Sequence, residues 1–225
     1  MLRKSMYSCV ALAGLCAVGQ RQTPPASDGV VIQLEQLRGD KVTPVRTEHV
    51  FQKDDVVRFR LNSAMEGYVY VVDHATSGEY SVLFPSGTTS GNNQVRIDTQ
   101  FYVPAAEDGW FQVSGPPGFD TIYFLLSPVK LAVSTAQVKP GASEKLPESM
   151  MPRCDDTVFQ ARGECVDRSA GATILPRGAS LPPQISAAAA NASRDLVLMN
   201  EPDGHVKITR TNDGPAIYIF RIAHK

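Results

Sequence analysis

The chain has 225 residues, 43% of them hydrophobic and 20% charged, with a formal net charge of −1. This is enough apolar material for one sizeable core, and there is no basic excess for nucleic acid or a polybasic membrane contact, so neither is expected as a partner. Sixteen Pro and seventeen Gly, spread along the chain, favour many turns over long helices.

Residues 1–19 read as a signal peptide. Arg3 and Lys4 form a positive start, Met6 to Val18 is an uncharged apolar run, and Ala17-Val18-Gly19 offers small residues for cleavage. A run of about a dozen apolar residues falls short of the roughly twenty that span a bilayer. Leu12-Ala13-Gly14-Leu15-Cys16 is similar to a bacterial lipobox, except that Leu15 stands where a small residue belongs. Lipidation at Cys16 and free export both stay open. The expected location is periplasmic or secreted, or the outer membrane if a lipid anchors Cys16. Residues 20–29, with Thr23-Pro24-Pro25-Ala26-Ser27, read as a linker.

Val30 to Leu37 reads as a first strand, and Arg38-Gly39-Asp40 as a turn. Val42 to Val50 is expected to add a short edge strand interrupted by Pro44. In Val56 to Asn62, Val57, Phe59 and Leu61 face one side, and Val56, Arg58 and Arg60 the other. The spacing predicts a half-buried strand whose arginines sit on a solvated face. Tyr68-Val69-Tyr70-Val71-Val72 is apolar throughout, as a central strand covered on both faces would be. Ser77-Gly78 turns the chain into a strand from Glu79 to Phe84, and Pro85 ends it. Ser86 to Asn93 is a polar loop that lacks the Lys of a phosphate-binding loop. Short strands follow at Gln94–Ile97, Gln100–Val103 and Trp110–Val113, then a second central run at Thr121–Leu126. Turn signals every eight to twelve residues mark an all-β sandwich or barrel.

From Val129 to Ala192 the composition shifts to Ala, Pro, Ser, Gly and Lys. Residues 132–194 are expected to be an irregular insertion draped over the surface. Cys154 and Cys165 fall within it, and in an exported chain a disulfide is the expectation. Their spacing and the lack of a nearby His disfavour a metal pair, so no metal and no cofactor are expected. Strands return at Asp195–Met199, His205–Thr209 and Ala216–Ile222. The last is apolar enough to pair with the main sheet. The expected fold class is therefore all-β, with sandwich-like antiparallel sheets built from 30–131 and 195–225, and a long irregular insertion stapled by one disulfide.

From Phe51 to Leu131 the sequence resembles DUF4384, a bacterial domain of unknown function. The resemblance rests on Phe51-Gln52-Lys53-Asp54-Asp55-Val56-Val57-Arg58-Phe59, Gly67-Tyr68-Val69-Tyr70-Val71-Val72, Leu83-Phe84-Pro85-Ser86, Asn93 with Val95, Val103-Pro104, Gly115-Pro116-Pro117-Gly118 and Ser127-Pro128. One departure is Lys53-Asp54-Asp55, where the family more often has Gly before the Asp. The resemblance implies a small β-rich module, usually exported or appended to domains such as proteases and kinases. It carries no catalytic residues to transfer.

The four His are scattered, and no Gly-x-Ser-x-Gly elbow or His-x-x-x-His pair occurs. The reading is thus a non-enzymatic exported envelope protein whose β-sandwich meets a protein partner. Its candidate contact residues are Tyr68, Tyr70, Phe84 and Trp110, since aromatics dominate interfaces. Two alternatives stand beside it. One is a small-ligand or glycan binder that uses loop 86–93, including Asn92 and Asn93, together with Trp110. The other is a hydrolase that assembles Asp73, His74 and a Ser of residues 86–90.

Overall fold

The computed structural model describes residues 29–86, 92–105, 109–134 and 150–225. The expected signal peptide, Cys16 and the linker up to residue 28 lie outside the described residues, as do 87–91 of the polar loop and 135–149 of the insertion.

Among the described residues the strands form two seven-stranded sheets. The first runs in the order β12 (Leu196–Asn200), β13 (Val206–Arg210), β1 (Gly29–Arg38), β4 (Val56–Ser63) and β8 (Thr99–Val103). β2 (Lys41–Val45) also pairs with β1, and β9 (Phe111–Gln112) with β4. The second runs β11 (Gly171–Ile174), β14 (Ala216–His224), β10 (Gly118–Ser127), β5 (Gly67–His74) and β6 (Tyr80–Phe84). β3 (Val50–Phe51) joins β14 and β7 (Gln94–Val95) joins β5. The strand pairings are antiparallel except that of β3 with β14. Pro44 is accommodated because β2 is short and pairs only along β1, where it lies opposite Glu35.

Period-two alternation sends one face of each sheet inward. Ile32 and Leu34, Val57, Phe59 and Leu61, Val69 and Val71, Ile122, Phe124 and Leu126, and Tyr218, Phe220 and Ile222 fill the space between the sheets. Phe59 sits at the centre, edge-on to Phe124 at 5.4 Å and to Phe220 at 5.3 Å. Burying each such ring contributes roughly 1.5–3 kcal/mol.

The outward face of the second sheet is apolar as well. Tyr70, Val72, Tyr123, Leu125, Ile217 and Ile219 form a second core with Leu175, Ile185 and Ala189 from the insertion. The Tyr70 hydroxyl donates to Leu131 O at 3.0 Å and accepts Leu131 N–H at 2.7 Å, which pins the chain leaving β10 across this face. Part of the insertion is therefore a third layer, and β11 makes it a member of the sheet. The cause is legible in the strands: a run such as Tyr68–Val72, apolar on both faces, needs cover on both.

The insertion also holds the described helix α1 (Asp156–Arg162), capped by the Asp155 side chain and by Gly163 in the left-handed region at φ 67°. Cys154 and Cys165 are joined by a disulfide on either side of it.

Candidate functional site

The inward alternation does not stay apolar to the strand ends. β5 presents Val69 and Val71, then Asp73. β10, read from its other end, presents Leu126, Phe124 and Ile122, then Asp120. β14 presents Tyr218, Phe220 and Ile222, then His224. The three strands are neighbours, and their register sets Asp73 opposite Ile122 and Asp120 opposite Ile222. The polar positions thus gather at one end of the inter-sheet space.

They adjoin a cavity of about 310 Å³. Its apolar wall includes Val57, Phe59, Phe111, Ile122 and Ile222, and its polar wall Asp73, Thr76, Glu79, Ser81 and Asp120. Asp120 is held in place: its Oδ1 accepts the Thr76 N–H at 2.6 Å and the Thr76 hydroxyl at 2.9 Å. His224, 1% exposed, brings Nε2 to 3.3 Å from the same oxygen and 3.1 Å from Thr76 Oγ1. Asp73 is different. Its Oδ1 is buried with no hydrogen-bond partner. Burial, followed by the charges of Asp120 and Glu79, pushes its carboxyl up to about 8. At neutral pH it is a protonated acid facing a cavity with three carboxyl groups and no Lys or Arg in its wall. Such a wall favours a cation and can exchange a proton with it.

Asp73 and His74 are consecutive on β5 and project to opposite faces. His74 stacks on Tyr80 with ring centroids 4.1 Å apart, and burial lowers its pKa. The expected Asp73–His74 pairing is thereby divided by the strand. Of the serines in 86–90, Ser90 lies outside the described residues.

The six candidate contact residues are not brought together. Tyr70, at 2% exposed, lies under the third layer, and half-buried Tyr68 packs against the same core. Phe84, at 5%, faces the inter-sheet core and stacks on Phe101. Asn93 is buried and donates from Nδ2 to Val69 O at 3.0 Å. Asn92 is exposed and accepts the Gln94 N–H at 3.2 Å.

Trp110, half-buried, lies on the outer face of the first sheet. There the Arg58 guanidinium sits between the Trp110 ring, at 4.2 Å, and the Tyr102 ring, at 4.1 Å. Arg58 Nε donates to Glu35 Oε2 at 2.8 Å, and Arg60 Nε lies 2.9 Å from Glu35 Oε1. The expected solvated face is instead an ion network, because Glu35 on the neighbouring strand pairs with both arginines and two aromatic rings cover Arg58. Both guanidinium groups share one buried carboxylate.

Sequence reasoning passed over Thr76, Glu79, Asp120 and His224. The signal was available: each of the last two continues an inward alternation that was apolar up to that point. Among the described residues no group of three or more His, Cys, Asp or Glu side chains is set to hold a metal ion.

Residues 50–130 match one family model, described as a domain of unknown function (DUF4384). No curated protein and no solved structure matches the chain. The matched segment carries β3 to β10 and takes its central neighbours, β1 and β14, from outside it.

Proposed function

We propose that the chain, whose residues 50–130 carry a DUF4384 domain, is a non-enzymatic exported binding module. In this reading it holds a small amine with an apolar body in the cavity between its sheets. The observation that carries the reading is the Asp73 Oδ1 atom, buried and unpartnered in the wall of an acidic cavity. A buried acceptor without a donor is costly, and an ammonium group would satisfy it. Phe59, Phe111 and Ile122 offer apolar surface to the rest of the ligand. The volume lies at the lower end of the roughly 300–1,000 Å³ typical of small-ligand sites. The apolar run at Met6–Val18 and the Cys154–Cys165 disulfide support an oxidising compartment outside the cytoplasm. A protein partner fits that location equally, but two of its expected aromatic anchors, Tyr70 and Phe84, are buried.

Binding of R–NH₃⁺ converts the Asp73 acid to its carboxylate, and the displaced proton goes to solvent. Affinity for an amine should therefore rise by up to about tenfold per pH unit as pH climbs toward about 8, then level off. Calorimetry with short alkyl and aryl amines, repeated in buffers of different ionisation enthalpy, measures both affinity and released protons. The alcohols and carboxylates of the same shape serve as controls. Binding of carboxylates as tight as that of amines, or amine binding unchanged in Asp73→Asn, would reject the reading.

A further inference from the structure

A second groove, of about 390 Å³, opens beside the end of β1, the chain after β2 and the end of α1. Gln36 forms part of its wall and is fully buried. Its Oε1 accepts Arg38 Nε at 3.0 Å, which orients the amide. Its Nε2 is buried with no partner. Arg38, Arg46 and Arg162 stand around the same groove, each exposed. Among the described residues, neither Arg46 nor Arg162 has a side-chain hydrogen bond or ion pair. Two carboxylates share the wall. Asp203 is engaged by His205, whose Nδ1 lies 2.8 Å from its Oδ2. This leaves Glu164 as the one carboxylate without such a partner against three guanidinium groups.

We propose that this groove is a binding site for an oxyanion of the phosphate class. An unpartnered buried N–H donor asks for an acceptor, and the planar N–H fork of a guanidinium pairs bidentately with two oxygens of a tetrahedral phosphate, which an ammonium cannot do. His49, which also lines the groove, is held toward its neutral form by burial and by Arg38 and so adds no charge. The site shares no residue with the acidic cavity and does not depend on the amine reading. Its phosphate group can come from a free ion or from a lipid headgroup.

The test uses the full chain carrying Cys16→Ser, which removes any lipid anchor. Inorganic phosphate is titrated calorimetrically at constant ionic strength, with chloride as the control. The expected result is saturable binding of phosphate but not chloride, weakened about tenfold by Arg46→Ala and again by Arg162→Ala. Both substitutions are at exposed positions that leave the core intact. A response to chloride equal to that to phosphate, or equal phosphate affinity in the Arg variants, overturns the site. In a second arm the chain is sedimented with phosphatidylcholine vesicles, with and without phosphatidic acid. Retention by phosphatidic acid that inorganic phosphate competes away assigns the lipid source. Phosphate binding without retention assigns the free ion. Retention that neither phosphate nor the Arg variants reduce is diffuse adsorption, and together with no saturable phosphate binding in the first arm it overturns the proposal.

Discussion

Asp120 and His224 meet at the end of the inter-sheet core, the carboxylate Oδ1 3.3 Å from the imidazole Nε2. They sit on adjacent strands, and Thr76 from the β5–β6 turn closes the group with two donors to the same oxygen. Asp120→Ala removes the acceptor of both and leaves the buried imidazole with Thr76 Oγ1 in place of its carboxylate partner. A loss of about 2–4 kcal/mol is expected in urea denaturation. An unchanged midpoint would mean that the turn is held elsewhere.

Asp73 gives a pH dependence of definite sign. Its folded pKa, about 8, lies above the unfolded value of 3.8. The folded state then binds the proton more tightly, so this group's contribution to stability falls as pH rises from about 4 to about 8 and is flat beyond. Asp73→Asn keeps the shape without the ionisation. At roughly 1.4 kcal/mol per pKa unit, the variant should gain up to about 5 kcal/mol over the parent at pH 8 and little at pH 4. Parallel stability–pH curves for the two proteins would refute the buried acid.

Trp110 is expected to act through Arg58. Trp110→Ala uncovers one face of the guanidinium and exposes the Glu35 network to water. The expected cost is about 1–2 kcal/mol in thermal or denaturant unfolding, with amine affinity unchanged, since Trp110 does not line the acidic cavity. Loss of amine binding at full stability would instead make Trp110 a ligand contact.

Asp54 lies in Lys53-Asp54-Asp55, where the DUF4384 resemblance leads one to expect a Gly before the Asp, and its φ is 71°. Asp is one of the few side chains that tolerate the left-handed region, and Gln112 Nε2 donates to its Oδ1 at 3.0 Å. Asp54→Gly is expected to shift stability by less than about 1 kcal/mol, while Asp54→Val costs about 2 kcal/mol or more through backbone strain. Equal melting temperatures for the two variants would contradict this account.

The third layer makes a further expectation. Ile185 is fully buried against the outer face of the second sheet. Ile185→Ala should cost about 2–4 kcal/mol, as in an ordinary core. A surface-like effect below about 0.5 kcal/mol would mean that the insertion is not part of the cooperative unit.

The strands and their inward faces were legible in the sequence because alternation is local: each strand carries its own apolar set, and turns marked by Gly, Pro, Asp and Asn divide one from the next. Thus β4, β5, β10 and β14 fall close to where their patterns put them, and Cys154 is bonded to Cys165. The double-sided apolarity of Tyr68–Val72 already required a cover, though not which segment would supply it.

Only the tertiary structure decided which strand ends share a neighbourhood. Asp73, Asp120 and His224 are separated by 47 and 104 residues along the chain, and register brings them to one end of the inter-sheet space, with Asp73 and Asp120 in the cavity wall. The same holds for the Arg58 clamp, whose rings come from Tyr102 and Trp110, and for Gln36 with Arg162. Local pattern fixes which face a side chain takes. Its partners depend on pairings between distant strands, and a buried carboxyl acquires its unusual chemistry from those partners and the water they exclude.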